Sequence, residues 1–210
     1  MGREASRTND PARTMANILE VASAEFAEKG LAGARIDEIA AATQTSKRMI
    51  YYYFGSKEGL YLAVLEEAYR RMRTIEAQLH LDGLPPEEAL RRLVGFTFDH
   101  HFGNPAYIRL VMSENMERGM YLAQSRIIQE LNVPAIQAIR DLYERGVAAG
   151  VFRPGLDPID IHASISALTF FNVSNQHTFG LIFKRDFASP RTLAARRDSI
   201  IEMVVRFVRP

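Results

Sequence analysis

Apolar residues recur three and four apart along nearly the whole chain, and no segment keeps the two-residue alternation of a strand. The pattern predicts an all-helical protein. Met15, Ile18, Leu19, Ala22 and Phe26 form a first stripe, opened by the cap and first-turn pair Asp10-Pro11 and closed at Gly30. Ile36, Ile39 and Ala40 give a second, short helix an apolar side. Thr43-Gln44-Thr45 interrupts it, and Thr45 or Ser46 can cap a third helix beginning near Lys47. Ser56 with Glu58 and Gly59 opens a long helix over about 57–80. Gly83-Leu84-Pro85-Pro86 breaks the chain, and Glu87-Glu88 favour a new helix that runs to His101. Gly103-Asn104-Pro105 starts another through Met116, and Gly119 marks the next break. A segment over 120–149 is interrupted at Pro134, which should kink or restart it. After a turn cluster from Gly150 to Pro158, two last helices are predicted over about 158–182 and 190–208.

The third helix carries the chemistry. Ile50 and Phe54 lie four apart and point into a core, while Arg48 and Tyr52 lie four apart on the opposite face, with Lys47 near the start. Two short helices joined by a tight turn, the second presenting cations and hydroxyls, suit the major groove of DNA. There Arg reads guanine edges and hydroxyls hold phosphates. The candidate DNA contacts are Arg35, Thr45, Ser46, Lys47, Arg48, Tyr51, Tyr52, Tyr53 and Lys57. A helical hairpin with a solvated basic face is the plainer account of the same residues.

Residues 14–62 resemble the N-terminal domain of the TetR family of bacterial transcriptional repressors. The resemblance is carried by ILEVASAEFAEKG, by DEIA followed by TSKRMIYYYF, and by GSKEGLYLAVLEEAY. Its most specific part is the aromatic run ahead of Phe54 followed by a small residue and Ser-Lys-Glu. The later string GVAAGVFRPGLDP resembles the family's approach to its penultimate helix. Five positions depart from the family pattern: Gln44 replaces the usual turn Gly, Thr45 a common Val, and Arg48-Met49 a frequent Gly-Thr pair. Arg35 stands where a Ser or Thr cap is usual. The resemblance implies an all-α fold: a helix-turn-helix DNA-binding head with its N-terminal arm over 1–56, and a larger ligand-binding and dimerisation body over 57–210. It further implies a cytoplasmic homodimeric repressor, released from a palindromic double-stranded operator by a small-molecule effector, with no cofactor. An activator or ligand-independent DNA binder on the same fold, and an all-helical enzyme, are the alternatives.

In the family the last two helices form a two-fold, four-helix dimer interface. Here they carry the stripes Ile161, Ile165, Leu168 and Leu193, Ile200, Val204, Phe207, with Ala163, Ser164, Ser166 and Ala167 allowing close approach. Core packing of the chain itself would use the same stripes. The family's effector pocket lies in the body, where Phe96, Phe98, Tyr107, Leu110, Met112, Phe170 and Phe171 are spread over several helices. Polar residues on otherwise apolar helices need a partner if buried; His101, Asn115, Asn172, Asn175 and His177 are of this kind. The effector contacts expected are Tyr107, Asn115, Phe171, Asn172 and His177, and the aromatic content leans toward a planar aromatic molecule.

Composition narrows the rest. With 210 residues, 47% of them hydrophobic, the chain can bury a substantial core. The net charge of +1 is uninformative, but Arg3, Arg7 and Arg13 cluster at the start and Lys47, Arg48 and Lys57 around the third helix. The basic start reads as an arm for DNA phosphates or the minor groove, although Met-Gly-x-x-x-Ser also matches the loose myristoylation pattern. No cysteine is present, which excludes disulfides and thiolate metal sites and suits a reducing cytoplasm. No apolar run approaches the roughly 20 residues needed to cross a bilayer. The adjacent His100-His101 diverge, and His162 and His177 share no face, so no metal site is expected. Gly-rich phosphate loops, nucleophile elbows and metalloprotease motifs are missing. Glu114 and Glu117, with Arg118, read as a solvated helix face.

Overall fold

A computed structural model describes residues 10–210 and is helical throughout, with no strand among the described residues. Its helices are α1 (Pro11–Gly33), α2 (Ile36–Ala42), α3 (Lys47–Phe54), α4 (Lys57–Ala77), α5 (Pro86–Gly103) and α6 (Pro105–Met116). They continue with α7 (Arg126–Ala148), α8 (Pro158–Ser174), α9 (Gln176–Phe183) and α10 (Pro190–Val208), and short 3-10 turns occupy Leu81–Gly83 and Leu122–Gln124. The basic arm at Arg3 and Arg7 and the myristoylation pattern lie outside the described residues. The chain divides into two compact units inside α4, between Glu67 and Ala68.

The first unit is built on α1. Asp10 caps it by accepting from the Ala12 N–H at 3.0 Å, and Gly30, at φ +65°, bends its last turn. Ile18, Ala22 and Phe26 meet Ile36, Ile39, Ile50 and Tyr61 in one core, with Phe26 and Tyr61 edge to face at 5.2 Å. Arg35 gives α2 no side-chain cap; instead its own N–H donates to Glu25 of α1 at 3.1 Å. Between α2 and α3, Thr43 returns its hydroxyl to the Ile39 carbonyl at 2.7 Å, and Gln44 turns the chain at φ +53°. That left-handed conformation is where the family's usual Gly would sit without strain. Ser46 then caps α3 by accepting from the Met49 N–H at 3.2 Å.

In the second unit α5, α7, α8 and α10 enclose a core that includes Leu90, Leu93, Phe98, Ile139, Ile161, Ile165, Ile200 and Val204. Gly146 is required there, because a Cβ at that position would lie 1.8 Å from the Phe152 ring. The turn cluster before α8 is pinned: the Tyr143 hydroxyl donates to Arg153 O and accepts from Leu156 N, both at 2.9 Å. Arg145 of α7 donates to the carbonyls of Leu81, Asp82 and Leu84, at 2.8–3.1 Å, and so holds the turn that follows α4.

Four expectations change. The span 158–182 is two helices, because Asn175 leaves helical geometry at φ −110°, ψ 3°. Pro134 lies inside a continuous α7 rather than restarting it. Glu114 is buried and accepts from the N–H groups of Tyr121 and Leu122 at 2.8 and 2.7 Å, so it organises the turn after α6 instead of facing solvent. Finally, Ile161, Ile165, Ile200 and Val204 are at most 2% exposed and face the chain's own core, with Leu168 and Leu193 packed against the same cluster; of the two stripes chosen for a partner, only Phe207, 38% exposed, is free to meet one. Both helices are apolar on more than one side, and periodicity does not say which side is turned inward.

Gln44→Gly should raise stability by about 0.5–1 kcal/mol, the relief of left-handed strain less the extra chain entropy of Gly. Chemical denaturation of the purified protein checks it; a loss of stability would mean Gln44 makes a compensating contact. Val204→Asp should cost about 4 kcal/mol or more through an unpaired buried charge. A near-native melting temperature for that variant would return Val204 to the surface.

Candidate nucleic-acid interface and body cavity

On α3 the buried Ile50 fixes which side faces out. Lys47, Arg48, Tyr51 and Tyr52 are exposed, Tyr52 to 77%, and Phe54 is half-buried on the inner side. Tyr52 and Tyr53 meet edge to face at 5.3 Å, with Tyr53 half-buried. Lys47 forms an ion pair with Asp37 of α2, which holds the Asp37 carboxyl below the usual range. Arg35 approaches the same carboxylate at 3.9 Å. Arg48 has no partner among the described residues, leaving its fork of donors open. Ser46 is exposed but occupied as a cap, and Thr45 is half-buried beside it. Lys57 donates to the Ala32 carbonyl at 3.3 Å at the end of α1, a contact its spacing did not announce. The surface therefore gathers Arg35, Lys47, Arg48, Tyr51 and Tyr52 as outward groups, with Thr45, Tyr53 and Lys57 partly engaged by the fold.

The body holds a cavity of about 410 Å³ between α4, α5, α6, α7 and α8. Tyr69, Met72 and Arg73 line it from α4, Thr97 and His101 from α5, and Tyr107 and Val111 from α6. Leu122, Ile128, Gln129, Asn132, His162, Ser166 and Phe170 complete the wall. Arg73 is paired with Glu76 and its Nε donates to Asn132 at 3.0 Å. Tyr69 and Tyr107 share a hydroxyl hydrogen bond with rings 5.7 Å apart, and burial pushes both phenols up. Burial likewise pushes His100 and His162 down, and His101 down to about 4. Nδ1 of His100 is buried without a partner among the described residues.

Of the five effector contacts expected, Tyr107 alone lines this cavity. Asn115 is exposed and donates to Val111 O at 2.9 Å within its own helix. His177 is exposed on α9, and Phe171 is 43% exposed, edge to face with Phe179 at 5.4 Å. Asn172 is buried but satisfied: it donates to Leu168 O and accepts from Arg196 of α10 at 3.0 Å, so it joins two helices. Nothing in the spacing of Tyr69, Met72 and Arg73 on α4, or of Gln129 and Asn132 on α7, marks them as cavity lining. His101 and Phe170, both noted from their polar or aromatic character on apolar helices, are in the wall. No group of three His, Cys, Asp or Glu could hold a metal ion among the described residues. No described helix is long and apolar enough to cross a membrane.

Comparison with known proteins agrees with this arrangement. A family model described as bacterial regulatory proteins, tetR family, matches residues 18–64, and one described as the tetracyclin repressor-like C-terminal domain matches residues 86–204. The chain is 34% identical to the HTH-type transcriptional repressor NicS of Pseudomonas putida, over 97% of this chain and 96% of that protein. It is 40% identical to an HTH-type transcriptional repressor of Streptomyces coelicolor, over 66% of this chain and 69% of that one. Among solved structures, a tetR-family regulatory protein from Rhodococcus superposes with a TM-score of 0.72 at 23% identity, covering 93% of this chain and 97% of that one. The ketosteroid transcriptional regulator of Mycobacterium tuberculosis does so with a TM-score of 0.68 at 22% identity, covering 99% and 100%.

Asn172→Ala should lower the melting temperature by the equivalent of about 1–2 kcal/mol, because it leaves Arg196 unpaired, and should do so equally with and without any ligand. A variant of unchanged stability that responds less to a ligand would put Asn172 back in the effector site. Arg48→Ala should weaken specific DNA binding by about 1–3 kcal/mol and relax selection at one base pair in each half-site. Uniform weakening across a randomised operator library would reduce Arg48 to a phosphate contact.

Proposed function

Because the chain belongs to the TetR family of bacterial transcriptional regulators, we propose that it is a homodimeric repressor that holds a palindromic operator with two copies of α3. The observation that carries this is the exposed Arg48, unpaired among the described residues, beside Tyr52 on a helix anchored from behind by Ile50. Such a helix can enter the major groove, and a two-fold pair of them matches half-sites about one helical turn apart. The protein works where its DNA is, in the cytoplasm.

The dimer face is assigned to the outward rows of the last long helices. On α8, Ile159, Ala163, Ala167 and Phe171 are exposed and spaced four apart; on α10, Ala195, Ser199, Met203 and Phe207 are. Small residues in the middle of both rows allow helices to approach closely, and the larger ones at the ends supply apolar area. This replaces the inward stripes with their neighbours on the same helices.

The effector site is the body cavity, in whose wall Tyr107 stands. Ligand binding releases DNA only as far as the ligand prefers the state that cannot span two grooves. The contacts that matter are thus those on α4 to α8 that differ between the two states.

Phe207→Asp should convert dimers to folded monomers and abolish operator retention, whereas Val204→Asp should unfold the chain. Light scattering with circular dichroism separates the two. A Phe207→Asp protein that stays dimeric would refute the outward face. Protection of promoter DNA by the wild-type protein tests the repressor reading itself; no protected sequence would overturn it.

A further inference from the structure

The cavity leaves one nitrogen of a buried histidine facing open space, and its neighbours fix what that nitrogen can bind. Thr169, wholly buried on α8, has its hydroxyl 2.8 Å from Ile165 O, 3.2 Å from Ser166 O and 3.0 Å from Nδ1 of His101. A hydroxyl has one proton, and backbone carbonyls only accept. Thr169 therefore donates back along its helix, as buried Thr residues do, and accepts from His101. The ring hydrogen of His101 is then on Nδ1, and Nε2 is a bare lone pair.

That lone pair is reachable. The sole side-chain nitrogen or oxygen sealed without a partner among the described residues is Nδ1 of His100. Nε2 of His101 has no partner among the described residues either, yet it is not among the sealed atoms, and the space its residue lines is the cavity. Burial holds the His101 ring neutral near pH 7, with a pKa of about 4. Arg73, the one Lys or Arg in the wall among the described residues, is already compensated by Glu76 and Asn132. Around the lone pair the surfaces are flat: Tyr107 lies 6.1 Å from the His101 ring at 24°, and Phe170 stands edge-on at 6.0 Å.

We infer that the cavity takes an uncharged aromatic molecule bearing an O–H or N–H group, which it donates to Nε2 of His101. The inference rests on the reading of the body as an effector site. An aromatic ring fits the walls, a donor satisfies the lone pair, and an anion would find no unpaired cation to meet it.

Calorimetric titration of the full chain with phenol, anisole and benzoate tests this. Phenol should bind about tenfold more tightly than anisole, its methyl ether, since a net hydrogen bond is worth about that factor, and benzoate should bind more weakly than phenol. His101→Phe should bring phenol down to the affinity of anisole. Equal binding of phenol and anisole, tighter binding of benzoate, no phenol binding at millimolar concentration, or a folded His101→Phe protein that keeps the preference would each overturn the inference. Should His101→Phe fail to fold, the wild-type ranking decides alone. The same preparation is assayed for promoter protection: protected DNA without a phenol preference sinks this inference only, and unprotected DNA sinks the regulator reading beneath it.

Discussion

One helix has to serve three surfaces at once. Ile161 and Ile165 of α8 enter the core, with Thr169 continuing that row and Asn172 beside it as buried, hydrogen-bonded polar groups. His162, Ser166 and Phe170, each one residue further round, line the cavity. Ile159, Ala163, Ala167 and Phe171 are turned outward. Each row repeats at four residues, so all three run nearly parallel along one helix. The core of the second unit, the shape of the cavity and the proposed partner face are all set by the same seventeen residues.

This explains which parts of the protein could be read from its sequence. A helix with one apolar face announces its orientation, as α1 does through Ile18, Ala22 and Phe26. The helix-turn-helix was legible for that reason, and because Ser46, Thr43 and the aromatic run occupy positions with defined local jobs. α8 gives no such signal. Four-residue spacing is the same on every side, so it does not tell the inward row from a dimer stripe. Asn172 and Asn115 drew attention as polar groups on apolar helices, yet each is satisfied by a carbonyl one turn back, and Asn172 also by Arg196. That arrangement depends on a rotamer and a neighbouring helix, neither of which spacing reveals.

The polar groups of the body show a common logic. Glu114, Thr169, Arg145 and Tyr143 each satisfy backbone or side-chain partners at places where the chain leaves a helix or where two helices meet. Left unpaired, each would carry a penalty comparable to a lost hydrogen bond or more. The sequence marks such residues as anomalies without saying whether a ligand or the fold completes them. Here the fold completes nearly all; among the described residues it leaves Nδ1 of His100 sealed without a partner, and Nε2 of His101 unclaimed beside the cavity.

The pairing of Lys47 with Asp37 bears on how the protein searches a chromosome. A cation already held by a carboxylate does not simply displace counterions from DNA; it exchanges one anion for another, so the gain is smaller than for a free lysine. If α3 enters the groove as proposed, indiscriminate attraction to the phosphate backbone is dampened at its entrance, while Arg48, with no such tether among the described residues, keeps its full worth for the bases. On that reading, residence on random sequence would be shortened more than residence at the operator, and Asp37, by holding Lys47, would sharpen the ratio between the two.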